Sequence, residues 1–333
     1  MKNLICLGLE STAHTFGVGI IDEKGNILAD TRDMYTTESG GIIPTECAKH
    51  HLNLKEKLLE KALQEAKLKI EDIDIISFSQ GPGLHPSLIV GKNFAKELAL
   101  KYNKPLVGVN HLLGHLEEGK FFTKCKDPVF VFVSGANTQI IAHEGGKYRV
   151  FGEALSVGLG NAFDKLGRAL GLGFPGGPKI EQLAKTGKYI ELPYVVKGMD
   201  VEFSGIVTYA VNLFKKGAKI EDICFSFQET GFAMLMEVTE RALAHTGKKE
   251  ALLIGGVAAS QRFVEMLNKM CEARNAKAYA CPLKYSGDNG VQIAIAGLIQ
   301  YKSNYNVFKG KEIENVDIKP NWRIDDLETP WIN

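Results

Sequence analysis

Two histidines, His111 and His115, lie four positions apart in a stretch with the pattern of a helix. Side chains with this spacing share one helix face, so both imidazoles can reach one metal ion. A metalloprotease would carry a glutamate directly after the first histidine as its general base, and Leu112 stands there instead. The pair indicates either two ligands of a metal site without protease chemistry or only a polar helix face.

A third ligand is available in Asp288, which stands in a Gly-containing turn before the apolar run 291–301. The apolar run predicts a helix, and an aspartate at this place is either a turn former or a ligand. Two imidazoles and one carboxylate would leave coordination positions open for a substrate oxygen.

Two short loops rich in Gly, Ser and Thr each join a pair of strand-like apolar runs, and each pair ends in a Gly-containing hairpin. Such a loop directs backbone N–H groups and hydroxyls into one concavity, which suits a phosphate chain. Because the two stretches begin about 125 positions apart, they predict an internal duplication and a two-lobed nucleotide-binding fold. The loops contain Ser11 and Thr12 in the first stretch, and Ser134, Gly135, Ala136 and Asn137 in the second.

Strands must alternate with helices to position these groups. Gly-rich turns at 80–87 and 255–262 each follow an apolar strand and precede a helix, which is the rhythm of an α/β fold. A glycine pair before a helix is a common seat for a nucleoside or phosphate. The Gly/Pro-rich loop 171–181 is either a lid or a place where the backbone approaches a ligand.

Composition excludes several classes of protein. The chain has 333 residues, 45% hydrophobic and 24% charged, which predicts a globular protein with two lobes of ordinary size. Forty basic and 39 acidic side chains give a net charge of +1, so any RNA contact must come from a local patch or another subunit. The six cysteines form no C-x-x-C pair. Neither a membrane helix nor a signal peptide is indicated, so a cytoplasmic protein is expected.

Short motifs occur in order along nearly the whole chain. They are Gly40-Gly41-Ile42 with Pro44 and Glu46, Ser79 to Leu84, Asn110-His111 with His115, Ser134-Gly135, Asn137 to Gln139, Phe174 to Pro178 with Glu181, Lys197 to Asp200, Phe203 to Gly205, Gly255 to Ala258, and Asp288 to Gly290. With these motifs the chain resembles the universal tRNA N6-threonylcarbamoyladenosine biosynthesis family, in the archaeal and eukaryotic branch that supplies the catalytic subunit of the KEOPS complex.

The resemblance implies an α/β, actin-like, two-lobed ATPase fold with duplicated ribonuclease-H-like cores. The first lobe is expected to comprise 1–127 joined by 297–333. The second is expected to comprise 128–296, with a helical insertion at about 187–248.

The implied reaction transfers the threonylcarbamoyl group from threonylcarbamoyl-adenylate to the exocyclic amine of the tRNA adenosine 3′ of the anticodon. The implied cofactors are one divalent metal, iron or zinc, and ATP or an adenylate nucleotide. The implied partners are tRNA and the other KEOPS subunits, a small kinase-like ATPase and small accessory subunits.

The same resemblance implies a role for each candidate residue. Asp288 would ligate the metal from the opposite side of a cleft from His111 and His115. The loop containing Ser134, Gly135, Ala136 and Asn137 would hold phosphate. The residues expected to contact the nucleoside are Asp164, Gly177, Glu181 and Ser260.

Four positions depart from the family pattern. Phe132 replaces a frequent tyrosine that can ligate metal, Ala136 replaces a glycine, Ser260 replaces an asparagine, and Ile89 replaces a common archaeal arginine. These departures favour, as an alternative, a nucleotide-binding scaffold with weak or no transferase activity. A small-molecule kinase of the same fold is a further alternative, although no acidic base can be assigned for it.

Overall fold

The structure is a computed structural model that describes residues 3–37 and 41–332. Its internal packing divides the chain into two compact units. The first unit comprises Met1–Glu118 with Asp288–Asn333, and the second comprises Gly119–Gly287. Gly40, one residue of the first family motif, lies outside the described residues.

Short strands make up two sheets and one small hairpin. In chain order they are β1 (Ile5–Glu10), β2 (Thr15–Asp22), β3 (Ile27–Met34), β4 (Ile75–Gly81), β5 (Leu106–Asn110), β6 (Val129–Val133), β7 (Thr138–Glu144), β8 (Lys147–Glu153), β9 (Val196–Lys197), β10 (Asp200–Val201), β11 (Glu250–Ile254), β12 (Lys277–Ala280) and β13 (Val307–Phe308).

Helices alternate with these strands, as the Gly-rich turns predict. In chain order they are α1 (Pro44–Ala66), α2 (His85–Lys101), α3 (His111–Thr123), α4 (Leu159–Ala169), α5 (Gly176–Ala184), α6 (Ser204–Lys215), α7 (Ile220–Thr246), α8 (Gln261–Ala273) and α9 (Gly290–Lys302). Among the described residues, no helix combines the length and the apolar character needed to cross a membrane.

The two units are built on one strand order. The first sheet runs β13-β5-β4-β1-β2-β3 and the second runs β12-β11-β6-β7-β8. In each, the first three strands of the unit form an antiparallel meander, and two later strands, β4 and β5 or β11 and β12, join it in parallel. The duplication predicted from the two Gly/Ser/Thr stretches is therefore present in the sheets.

Side chains along β1 point alternately to the two faces of the first sheet, and helices cover both faces. Leu7 and Leu9 point into the core that α1 and α2 complete. Gly8 points the other way, where an added Cβ would overlap backbone atoms of Gly290 and Ala294 in α9. Since α9 lies this close to the sheet, only glycine fits at position 8.

The segment after α9 mixes Lys, Asp and Pro, a composition that predicts an irregular tail over the surface, and in the structure it is tied to the first unit. β13 pairs antiparallel with β5 and becomes the edge strand of the first sheet. Further along, the Gln80 side chain donates to the Asp317 carbonyl at 2.7 Å, and the Lys319 N–H donates to the Gln80 carbonyl at 2.8 Å. Leu327 is fully buried. Apolar side chains spaced along a polar sequence hold this segment on the first unit.

Candidate functional site

The two histidines are positioned by the junction of β5 and α3. Asn110 ends the strand, and its Oδ1 accepts hydrogen bonds from the backbone N–H groups of Leu112 and Leu113 at 3.0 and 3.2 Å. This satisfies N–H groups that a helix start leaves without partners. The fixed start places His111 and His115 on one face, where the two residues are 9% and 3% exposed.

Asp288 meets both histidines. Its Oδ1 lies 3.2 Å from Nε2 of His115 and 3.5 Å from Nε2 of His111. One ligand atom from each of the three residues lies within 4.8 Å of the other two. The three side chains that the sequence singles out as metal ligands therefore converge.

Asp288 belongs to the same compact unit as the two histidines. The reason is the packing of α9, which follows Asp288 directly and lies against β1 and β2 of the first unit. Asn289 begins that helix by accepting the Gln292 N–H on its Oδ1 at 2.9 Å.

The donor set suits a divalent transition metal. Two imidazole nitrogens and one carboxylate oxygen match catalytic zinc and non-haem iron sites, which keep coordination positions open. Both histidines direct Nε2 toward the Asp288 carboxylate. The residues present thus fit the ion that the family resemblance implies.

Glu10, at the end of β1, is a member of this cluster that sequence reasoning missed. It is fully buried, and its Oε2 lies 2.9 Å from Nδ1 of His111. The available signal was an acidic residue ending an otherwise apolar strand. Strand position alone does not say what such a side chain meets.

Electrostatics bind the cluster together. Burial lowers the pKa of His111, but the carboxylates of Glu10 and Asp288 outweigh it and raise that pKa to about 9. Burial likewise lowers the pKa of His115, and here the lowering prevails. Burial raises the pKa of Asp288, but the two histidines reverse the effect and hold it below its ordinary value. At neutral pH Asp288 is therefore ionised, and its charge is balanced by a protonated His111 until a bound cation displaces that proton.

In the first Gly/Ser/Thr loop, donor groups form hydrogen bonds with other residues of the protein. Thr12 donates both its backbone N–H and its hydroxyl to Oε1 of Glu10, at 2.6 and 2.5 Å. The Ser11 N–H donates to the Ser79 hydroxyl at 2.9 Å. The Ser11 hydroxyl is buried and has no hydrogen-bond partner among the described residues. The donors of Thr12 thus serve Glu10 in this structure.

The second Gly/Ser/Thr loop joins β6 to β7. The Asn137 N–H donates to the Ser134 hydroxyl at 3.1 Å, which closes the turn. The Gly135 carbonyl accepts the Asn161 N–H at 2.9 Å, so the loop rests on the start of α4. Gly135, Ala136 and Asn137 are exposed. The loop therefore presents an open surface with room around the Ala136 methyl group.

Two of the predicted nucleoside contacts touch each other. The Ser260 hydroxyl donates to Oε1 of Glu181 at 3.0 Å, and the Arg262 N–H reaches the same oxygen at 3.3 Å. Glu181 lies on α5 and Ser260 caps α8 by accepting the Phe263 N–H. This gives Glu181 a fixed orientation beside a helix N-terminus.

The other two nucleoside candidates lie at the junction of α4 and α5. Oδ1 of Asp164 accepts the Gly176 N–H at 2.8 Å, next to Gly177 at the start of α5. Burial raises the pKa of Asp164. Gly177 has open space where a side chain would stand. Gly177 and Glu181 are four residues apart, so they share one face of α5.

Two further departures from the family pattern are placed as follows. Phe132 is buried within β6 of the second unit. Ile89 lies half-buried on α2 of the first unit.

The duplicated sheets define an actin-like ATPase fold. A solved structure of full-length HypF in the phosphate- and nucleotide-bound form matches 91% of this chain and 56% of that chain, with a TM-score of 0.65 and 12% identity. At this identity the likeness concerns the fold alone.

The chain belongs to the TsaD family of tRNA N6-adenosine threonylcarbamoyltransferases, whose profile matches residues 26–295. It is 56% identical over 330 residues to the tRNA N6-adenosine threonylcarbamoyltransferase of Thermococcus sibiricus, covering 98% of this chain and 100% of that protein. It is 52% identical to a probable bifunctional tRNA threonylcarbamoyladenosine biosynthesis protein of Methanobrevibacter smithii, covering 99% of this chain and 61% of that protein.

Proposed function

We propose that the protein transfers the threonylcarbamoyl group from threonylcarbamoyl-adenylate to the exocyclic amine of the tRNA adenosine 3′ of the anticodon. The observation that carries the proposal is the full-length match to a threonylcarbamoyltransferase at 56% identity. The convergence of His111, His115 and Asp288 adds a site of suitable chemistry. An exocyclic amine is a weak nucleophile, so positioning and activation of the carbonyl carbon must supply much of the rate.

In this proposal His111, His115 and Asp288 hold one divalent ion, iron or zinc. Such an ion, when bound, polarises the carbamoyl carbonyl and neutralises phosphate charge. The protein residues present Nε2 of each imidazole and one carboxylate oxygen from a largely buried cluster. Burial lowers the local dielectric and strengthens these interactions.

The adenylate portion is assigned to the second unit. The loop of Ser134, Gly135, Ala136 and Asn137 would hold phosphate, and its exposure on the structure supports this assignment. Asp164, Gly177 and Glu181 would bind ribose and adenine, with Ser260 orienting Glu181 through its hydroxyl. The same residues would accept ATP.

The proposed partners are tRNA and the KEOPS subunits, a small kinase-like ATPase and small accessory proteins, with the cytoplasm as the site of action. The bifunctional name and greater length of the Methanobrevibacter smithii relative support a second activity linked to this one. Because the net charge of this chain is only +1, partner subunits would supply part of the tRNA-binding surface.

The test is a transfer reaction with purified protein, partner subunits, threonylcarbamoyl-adenylate and unmodified tRNA, followed by nucleoside mass spectrometry. We expect N6-threonylcarbamoyladenosine to accumulate over many turnovers. An active relative serves as the positive control for the donor and the tRNA. Tight binding of adenylate without any modified nucleoside would replace the transferase with a nucleotide-binding scaffold.

A further inference from the structure

We propose that Glu10 is a positioning residue that fixes the ring of His111 so that its Nε2, and not its Nδ1, faces the ion site. This inference rests on the proposed metal site and goes beyond it, since Glu10 contacts no ligand position itself. Its action runs through the hydrogen bond between Oε2 and Nδ1 of His111 at 2.9 Å.

The hydrogen bond determines which ring nitrogen carries the proton. Oε1 of Glu10 already accepts two hydrogen bonds from Thr12, and Oε2 is an acceptor 2.9 Å from Nδ1 of His111, so that nitrogen donates. Nδ1 of His111 therefore keeps its hydrogen, and Nε2 is the ring nitrogen that a metal ion can bind by displacing a proton. That atom is the one that lies 3.5 Å from Oδ1 of Asp288. A histidine that ligates through Nε2 commonly donates its other N–H to such a carboxylate.

Glu10 is itself rigidly held. Its Oε1 accepts two hydrogen bonds from Thr12, at 2.6 Å from the backbone N–H and 2.5 Å from the hydroxyl. The side chain is fully buried at the end of β1, so it has no solvent partner with which to exchange. Oε2 is therefore left to orient the imidazole.

Two neutral groups also approach Nδ1 of His111 and could compete with the carboxylate. The Thr12 hydroxyl lies 3.2 Å away, and the Gln292 amide nitrogen lies 3.3 Å away. The Thr12 hydrogen is already donated to Glu10. A bond assisted by charge at 2.9 Å outweighs a neutral amide contact at 3.3 Å. Glu10 therefore sets the tautomer.

The chain provides a matched control in Glu118. It is also a fully buried carboxylic acid of the first unit, and it lies on α3, the helix that carries the two histidines. Its Oε2 accepts the Asn289 side-chain N–H at 3.2 Å. A general effect of removing a buried acid would appear in Glu118→Gln as well, whereas a positioning effect would appear only at Glu10.

The experiment titrates metal-free wild type, Glu10→Gln and Glu118→Gln with Co²⁺ and records the d–d absorption. Glutamine keeps the size of glutamate but offers an amide N–H or a neutral oxygen to Nδ1. We expect Glu10→Gln to bind Co²⁺ roughly 10- to 100-fold more weakly, with an altered absorption band. Glu118→Gln should match wild type in both measurements.

Several outcomes would overturn the inference. Equal affinity and an unchanged band in folded Glu10→Gln would do so, as would equal weakening in Glu118→Gln. If Glu10→Gln does not fold by circular dichroism, Thr12→Val tests the same bond by loosening Glu10, and an unchanged affinity there would be equally contrary. Absence of Co²⁺ binding by wild type would instead remove the metal site on which the inference rests.

Discussion

Nε2 of His115 lies 3.2 Å from Oδ1 of Asp288, although the two residues are 173 positions apart in the chain. One is carried by the helix that follows β5, and the other directly precedes the helix that packs on β1 and β2. The metal site thus depends on the packing of α9 against the first sheet. Replacing one of its ligands should have a measurable effect.

Replacing His115 with alanine should abolish stoichiometric metal binding, because it leaves one imidazole and one carboxylate. Loss of the ion should lower the transfer rate by roughly 10²- to 10⁴-fold, equivalent to several kcal/mol of lost carbonyl activation. Metal content by plasma mass spectrometry and modified nucleoside by liquid chromatography–mass spectrometry check the two effects. The control is His245→Ala, which removes an exposed imidazole on α7. Full transfer by His115→Ala would contradict the assignment.

Ser260 should contribute to both stability and nucleotide affinity. Ser260→Ala removes the cap of α8, at a cost of about 1 kcal/mol in the free energy of unfolding, and it removes the hydrogen bond to Glu181. Ser260→Asn keeps a capping side chain and should retain the stability. Urea denaturation and calorimetry with an adenine nucleotide measure the two properties. Unchanged nucleotide affinity in Ser260→Ala would show that Ser260 does not contribute to nucleotide binding.

His51 should make stability fall in mild acid. Burial lowers its pKa to about 4, and its Nε2–H donates to the Ala13 carbonyl at 2.8 Å. An unfolded histidine titrates near 6.5, so between these values the unfolded chain binds more protons than the folded one. The contribution is therefore fully present above about pH 7 and declines by roughly 3 kcal/mol as the pH falls through 6.5 to about 4.

The variant His51→Gln cannot titrate and tests this directly. The difference between its unfolding free energy and that of wild type should change between pH 7.5 and pH 5, in the direction of a relatively more stable variant at the lower pH. Chemical denaturation at the two pH values supplies the numbers. Parallel pH profiles for the two proteins would mean that His51 titrates normally.

Gly8→Ala should disturb the packing that supports the metal site without changing a ligand residue. The new methyl group would overlap the backbone of Gly290 and Ala294, and backbone cannot rotate aside. We expect a loss of about 3 kcal/mol in unfolding free energy and weaker metal binding as α9 shifts. Gly205→Ala is the control, since no atom lies within 4 Å of its added methyl. Equal stability of the two variants would contradict the close approach of α9.

Much of the fold can be predicted from the sequence, because the spacing of hydrophobic residues and the positions of glycines are local signals. The stretch 4–21 predicts a strand, a loop and a strand, and β1 and β2 occupy it. Leucines at helical spacing predict a helix over about 45–66, and α1 spans Pro44–Ala66. The short strand β13 was missed because its two residues become a strand only by pairing with β5. The lobe limits implied by the resemblance stay a prediction.

The site was harder to predict from the sequence because the residues that meet there are far apart in the chain. Helical spacing indicates that His111 and His115 share a face, but no periodicity links them to Asp288 or Glu10. Thr12 illustrates the difficulty further, because its loop has the composition of a phosphate cradle while its donors bind Glu10. Which polar group a donor meets is set by the tertiary packing.

The most direct test of the account measures transfer to tRNA by metal-free protein, in the presence of its partner subunits, as Fe²⁺ or Zn²⁺ is added back. We expect one of these ions to restore formation of N6-threonylcarbamoyladenosine, with saturation at one ion per chain, and Asp288→Asn to abolish the response. Full transfer by the metal-free wild type, or an undiminished response in Asp288→Asn, would contradict it.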